Sequence, residues 1–94
     1  MKNVEAGSGL SASVLVLNRF YMAVHVVTAR RAFCLLFRDL AEVINVEQGQ
    51  YANYDFESWQ LMCEMRFDER LPHEDWVQAV NFQIQVPRVV RLLH

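Results

Sequence analysis

Residues 14–37 read VLVLNRFYMAVHVVTARRAFCLLF, and the change of period inside this stretch decides the fold class. Val14-Leu-Val-Leu17 is a continuous aliphatic and β-branched run, the composition of a strand buried on both faces. Asn18 and Arg19 punctuate it. Phe20 to Val27 reads as a second extended segment, with Phe20, Met22, Val24 and Val26 on one side and Tyr21, Ala23, His25 and Val27 on the other. At Thr28 the period changes. Its hydroxyl suits an N-cap, and Ala29, Ala32, Phe33, Leu36 and Phe37 then recur at spacings of three and four, the stripe of an amphipathic helix. Arg30, Arg31 and Arg38 fall off that stripe, and the helix should end near Asp39.

Beyond this stretch, Ala41 to Val46 reads as a strand stopped by Gln48-Gly49-Gln50. A second helix starts from Asp55 as N-cap, with Glu57 favourably placed in its first turn and Phe56, Trp59, Cys63 and Phe67 as its buried line. Residues 68–75, with Pro72, form a charged loop. Val80 to Val86 has period two, putting Val80, Phe82, Ile84 and Val86 inward and Asn81, Gln83 and Gln85 outward. Pro87 interrupts it, and Arg88 to Leu93 resumes as an edge strand. In the other direction, residues 1–13 are polar and rich in small side chains, the composition of a flexible leader. The expectation is one small α+β domain over residues 14–94: a single, mostly antiparallel sheet with two helices packed on one face. No internal repeat, linker or low-complexity tract divides it.

The totals fit that picture. Ninety-four residues suffice for one core. The 53% hydrophobic content lies above the usual ~45–50%, so apolar surface is left over for a partner. The net charge of −2 does not describe a polycation. The charge is nevertheless uneven. Residues 1–38 carry five basic groups against Glu5, and residues 39–75 carry ten acidic groups against Arg66 and Arg70. The two cysteines, Cys34 and Cys63, both sit in apolar helical patterns and make no disulfide framework. No apolar run approaches the ~18 residues of a membrane span, and the opening residues lack a signal core. A cytoplasmic protein with reduced thiols is expected.

Chemistry is hard to find. His25, His73 and His94 with the two cysteines lack the close ligand pairing of structural zinc sites, so no metal or other cofactor is expected. A cysteine nucleophile needs an accessible, electropositive setting. Burial is the default for Cys34, and Glu64 beside Cys63 would raise a thiol's pKa. The acidic pairs Asp68-Glu69 and Glu74-Asp75 lie in a polar loop, without the apolar surroundings that tune an acid catalyst. No catalytic residue is assigned. The candidate phosphate contacts are Arg30 and Arg31 in the first turn of a helix, Arg38 at its end, Arg19 before it, and Arg88 and Arg91 near the C-terminus. The competing reading is a solvated or salt-bridged face. Trp59 and Trp76 read as core or interface anchors rather than base-stacking platforms.

Several segments occur together in a familiar order: Val14-Leu-Val-Leu-Asn-Arg19, Thr28-Ala-Arg-Arg-Ala-Phe-Cys-Leu-Leu-Phe37, Ala41-Glu-Val43, Asp55-Phe-Glu-Ser-Trp59, and Phe82-Gln-Ile-Gln-Val-Pro-Arg-Val-Val-Arg-Leu92. As a set they resemble the amino-terminal region of bacterial HNH endonucleases, especially the form in planctomycete-like bacteria, over nearly all of residues 14–93. In such proteins the last strand leads to a basic segment and a Cys-x-x-Cys-bearing ββα-metal nuclease, a hydrolase of phosphodiester bonds. The cysteine pairs and the His-Asn-His constellation have no counterpart here, so no catalytic residue of that family carries over. The resemblance implies a non-catalytic accessory domain that positions a nuclease module, present in cis if this chain is a fragment, on DNA or mediates its assembly. The alternative is a protein-interaction module that forms a homodimer through apolar surface and has no nucleic-acid role.

Overall fold

The computed structural model describes residues 9–94. Strand β1 (Ser13–Leu17) and strand β2 (Ala23–Thr28) form an antiparallel hairpin, followed directly by helix α1 (Ala29–Phe37). A second hairpin follows, β3 (Ala41–Glu47) with β4 (Gln50–Tyr54), then helix α2 (Phe56–Arg66) and a single 3-10 turn at Phe67–Glu69. The chain closes with β5 (Trp76–Gln78), β6 (Gln83–Gln85) and β7 (Val89–Leu92). The main sheet runs β2-β1-β7-β3-β4, and β7 is parallel to β1 and antiparallel to β3. Strands β5 and β6 form a separate two-stranded ribbon. This is an α+β domain built on a mixed, mostly antiparallel five-stranded sheet.

Local chemistry sets the helix ends. Thr28 Oγ1 accepts from the Arg31 amide at 3.3 Å, and Asp55 Oδ1 accepts from the Ser58 amide at 2.9 Å, each satisfying an orphan donor of the first turn. At the other end of α1, the Asp39 amide donates to Leu36 and the Leu40 amide to Leu35. That pair of bonds is a Schellman cap, and it forces Asp39 to a φ of 60° where glycine is favoured. Gln48 (φ 53°) and Gly49 (φ 81°) make the two-residue turn between Glu47 and Gln50, the twist that a β-hairpin prefers.

The core lies between the sheet and its helices. Val14 and Val16 from β1, Val43 from β3 and Val90 from β7 face Ala29, Ala32 and Leu36 of α1 and Trp59 and Cys63 of α2, all fully buried. Trp59 joins three elements: its indole N–H donates to the Gln85 carbonyl at 2.8 Å, and its ring meets Tyr54 edge-on at 5.4 Å. Ile84 and Val86 close the core from the ribbon side. Residues 9–12, which the leader reading includes, are packed as well. The Ala29 amide donates to the Ala12 carbonyl, and a Cβ at Gly9 would meet the Trp76 carbonyl oxygen at 2.5 Å.

The structure corrects several expectations. β1 is buried on one face, with Leu15 and Leu17 half-exposed on the other, because both helices pack on the same side. β2 starts at Ala23 rather than Phe20, since Asn18 folds residues 18–22 into a turn. Phe37 is 73% exposed and leans edge-on against Phe56 instead of entering the core. Cys34 is exposed, at the rim of a groove. Val80 is fully exposed in the turn between β5 and β6, so the period-two segment contributes three strand residues, not seven. β7 is central rather than an edge strand: Pro87 precedes it, and every ladder amide of Val89–Leu92 remains available. β4 and β5 were not expected.

Candidate interaction surfaces

Because α1 and α2 occupy one side of the main sheet, no helix among the described residues covers its other side. Register places the residues of that side in rows. Val26, Leu15, Val89 and Ile44 stand next to one another across β2, β1, β7 and β3, and Asn53 of β4 ends the row. Val46 and Tyr51 are register partners farther along β3 and β4. Exposure is concentrated at the margins, Val26 62%, Val46 63% and Tyr51 79%, while Leu15 and Val89 are partly buried and Ile44 is only 8% exposed. A neighbouring row contains the charged pair of this face, Arg91 on β7 opposite Glu42 on β3.

Arg91 organises the edge of this surface. Its Nη1 donates to Glu42 Oε2 at 2.8 Å, and Asn53 donates to the same oxygen. Its Nε and Nη2 donate to the Arg19 carbonyl at 3.0 and 2.7 Å, and its guanidinium lies 4.5 Å from the centre of the Tyr21 ring. The β1–β2 turn is thereby tied to the last strand. Asn18 Oδ1 accepts from the Phe20 and Met22 amides and holds Tyr21 at a φ of 68°. A non-glycine residue keeps that conformation where its surroundings over-determine it. Phe20, Tyr21 and Met22 are all exposed, and the Arg19 guanidinium sits 4.8 Å over the Phe20 ring.

A second apolar surface lies on the helix side. Phe33, Phe37, Phe56, Phe82, Leu10 and Val77 are among the residues lining a groove of about 610 Å³ between α1, α2 and the ribbon. Cys34, Arg38 and Gln60 are its polar members. A third, polar depression holds the side chains of Glu47, Tyr54, Arg66 and Glu74, which bond to one another or to their neighbours. The Tyr54 hydroxyl donates to Glu47 Oε2 at 2.5 Å. That bond and the Asn45 amide hold the Glu47 carboxyl below its ordinary pKa, and the same bond pushes the Tyr54 hydroxyl up to about 12. Burial alone would raise the Glu74 pKa. The Leu71 amide, the Trp76 indole and the Arg66 guanidinium at 3.1 Å outweigh it and hold the group low. Burial chiefly pushes the Cys63 thiol up to about 11, away from the thiolate a nucleophile needs. Among the described residues no three His, Cys, Asp or Glu side chains converge as a metal site.

The six candidate arginines divide between places. Arg30 and Arg31 open α1, and Arg88 opens β7 beside β1, so these three exposed groups share one end of the sheet. Arg38 caps the far end of α1, while Arg19 and Arg91 meet at the β1–β2 turn. Arg91 is committed to Glu42 and the turn. Helix α1 packs over β2, β1 and β3, and α2 packs against β6, β3 and β4 with the acidic loop following it. The open face was missed in the sequence, although Val14-Leu-Val-Leu17 signalled it by being apolar on both sides. The tied turn had no sequence signal, because its anchor Arg91 lies 72 positions away.

No helix among the described residues is long and apolar enough to cross a membrane. No curated protein and no solved structure matches the chain. One family model does, over residues 14–94, and it describes the HNH endonuclease-associated, N-terminal domain. With nearly the whole described fold inside that match, the chain belongs to the family of HNH endonuclease-associated N-terminal domains.

Proposed function

We propose that this chain is a non-catalytic accessory domain of an HNH-type endonuclease, and that it assembles the nuclease through protein contact. The observation that carries this reading is the open apolar face of the main sheet, which the domain's own helices leave uncovered. Support for the non-catalytic part comes from the titratable groups. The Cys63 thiol is raised, and Glu47 and Glu74 are depressed by hydrogen bonds that also organise the fold. Such groups are poor nucleophiles and poor general acids near neutral pH.

A second reading, placement of the nuclease on DNA, is favoured by Arg30, Arg31 and Arg88 standing exposed at one end of the sheet. A gel-shift titration of the 94-residue chain on duplex DNA separates the two. Assembly by protein contact predicts no retention above weak non-specific binding at low salt. Retention whose affinity falls roughly 10³-fold or more between 50 and 200 mM salt would contradict it and establish a multi-arginine phosphate contact.

A further inference from the structure

We infer that the open sheet face pairs with the same face of a second copy of this chain. The inference rests on the assembly reading above and names the surface and its occupant. Four adjacent strands place Val26, Leu15, Val89 and the largely buried Ile44 in one aliphatic row, and the exposed Val46 and Tyr51 widen it on the β3–β4 side. Antiparallel sheets with a wet face alternate polar and apolar residues. Here β1 is apolar on both sides, and the polar groups of the open face, Glu42, Arg91 and Asn53, are bonded to one another. One cover is the helix layer. No second cover comes from the described residues.

Charge decides what that cover is. The face carries one acid and one base, and Glu42 and Arg91 neutralise each other at 2.8 Å. A polyanion would have to break that pair to gain a contact, and a basic or acidic partner would find no unpaired complement. A second copy presents an equally neutral aliphatic ridge of the same width and strand spacing, so two faces meet without like-charge repulsion. Two sheets packed in this way lie about 10 Å apart with their strands about 30° from parallel.

The size agrees. An aromatic side chain offers roughly 150–250 Å². Tyr51 at 79% exposure and Tyr21 at 58% flank a row whose outer valines are more than half exposed. The face therefore offers several hundred Å², within reach of the ~800 Å² that each partner gives to a standard stable interface.

Light scattering on the purified chain during size exclusion tests this. The expected species has twice the 11.0 kDa monomer mass at micromolar concentration and persists as salt is raised. Val26→Lys and Val46→Lys, at positions where the fold leaves more than 60% of the residue exposed, should each raise the dissociation constant at least tenfold without changing the far-ultraviolet spectrum. Phe37→Lys, in the groove on the helix side, should leave the dimer intact. A monomer throughout, a dimer that dissolves with salt, or a dimer lost in Phe37→Lys but not in the sheet variants would each overturn the inference. None of these results bears on whether the chain binds or cleaves DNA, so the accessory-domain reading stands or falls separately.

Discussion

Trp59 ties α2 to β4 and the ribbon: its fully buried indole ring meets Tyr54 edge-on while its N–H satisfies the Gln85 carbonyl. Trp59→Ala should cost about 3–5 kcal/mol in urea unfolding, the usual cost of deleting a fully buried large aromatic side chain. A cost below about 1 kcal/mol would show that the ring is not packed as described. The Glu47–Tyr54 bond makes a pH prediction whose sign follows from its two partners. Glu47 is depressed in the folded state, so its stabilisation is complete above the unfolded value of about 4.3 and is lost as pH falls through the folded value. Tyr54 is raised to about 12, so its stabilisation is complete below the unfolded value of about 10 and is lost as pH rises from there toward 12. Cys63, raised to about 11, begins the alkaline loss earlier, near pH 9. Melting temperature measured against pH should fall at both ends, and Tyr54→Phe should flatten the portion above pH 10. An alkaline limb unchanged in that variant would contradict the assignment.

Among the elements, α1 ends on a residue poorly suited to its conformation. Asp39 occupies the left-handed position of a Schellman cap at a φ of 60°, which costs an L side chain about 1 kcal/mol relative to glycine. Asp39→Gly should therefore stabilise the domain by about 0.5–1 kcal/mol in thermal unfolding, and destabilisation would mean that the aspartate side chain contributes something the cap geometry does not reveal. Elements governed by local rules were legible in the sequence. Thr28 and Asp55 announced both helix starts, and the aliphatic runs announced β1 and β3. Elements governed by distant partners were not. β7 looked like an edge because Pro87 removes a donor, but that proline lies before the ladder, and the strand sits between β1 and β3, far away in sequence. β4 was missed because Tyr51-Ala-Asn-Tyr54 has little apolar signal of its own and is held by the Gln48-Gly49 turn and its pairing with β3. Of the candidate site, the arginines were legible as residues, but their division between two ends of the sheet depends on topology.

At the scale of the whole molecule, the described helices lie on one side of the main sheet and leave Val26, Val46 and Tyr51 of its other side exposed. The net charge is −2, and Arg30, Arg31 and Arg88 are the exposed arginines that share one end of the sheet. Membership of the HNH endonuclease-associated family supplies the context in which such a domain works. The direct test is to incubate the pure 94-residue chain with supercoiled plasmid and Mg²⁺, Mn²⁺ or Zn²⁺ and to follow the topoisomers on a gel. The plasmid should stay supercoiled with every ion, whereas metal-dependent nicking that co-purifies with the chain through repeated fractionation would contradict the account.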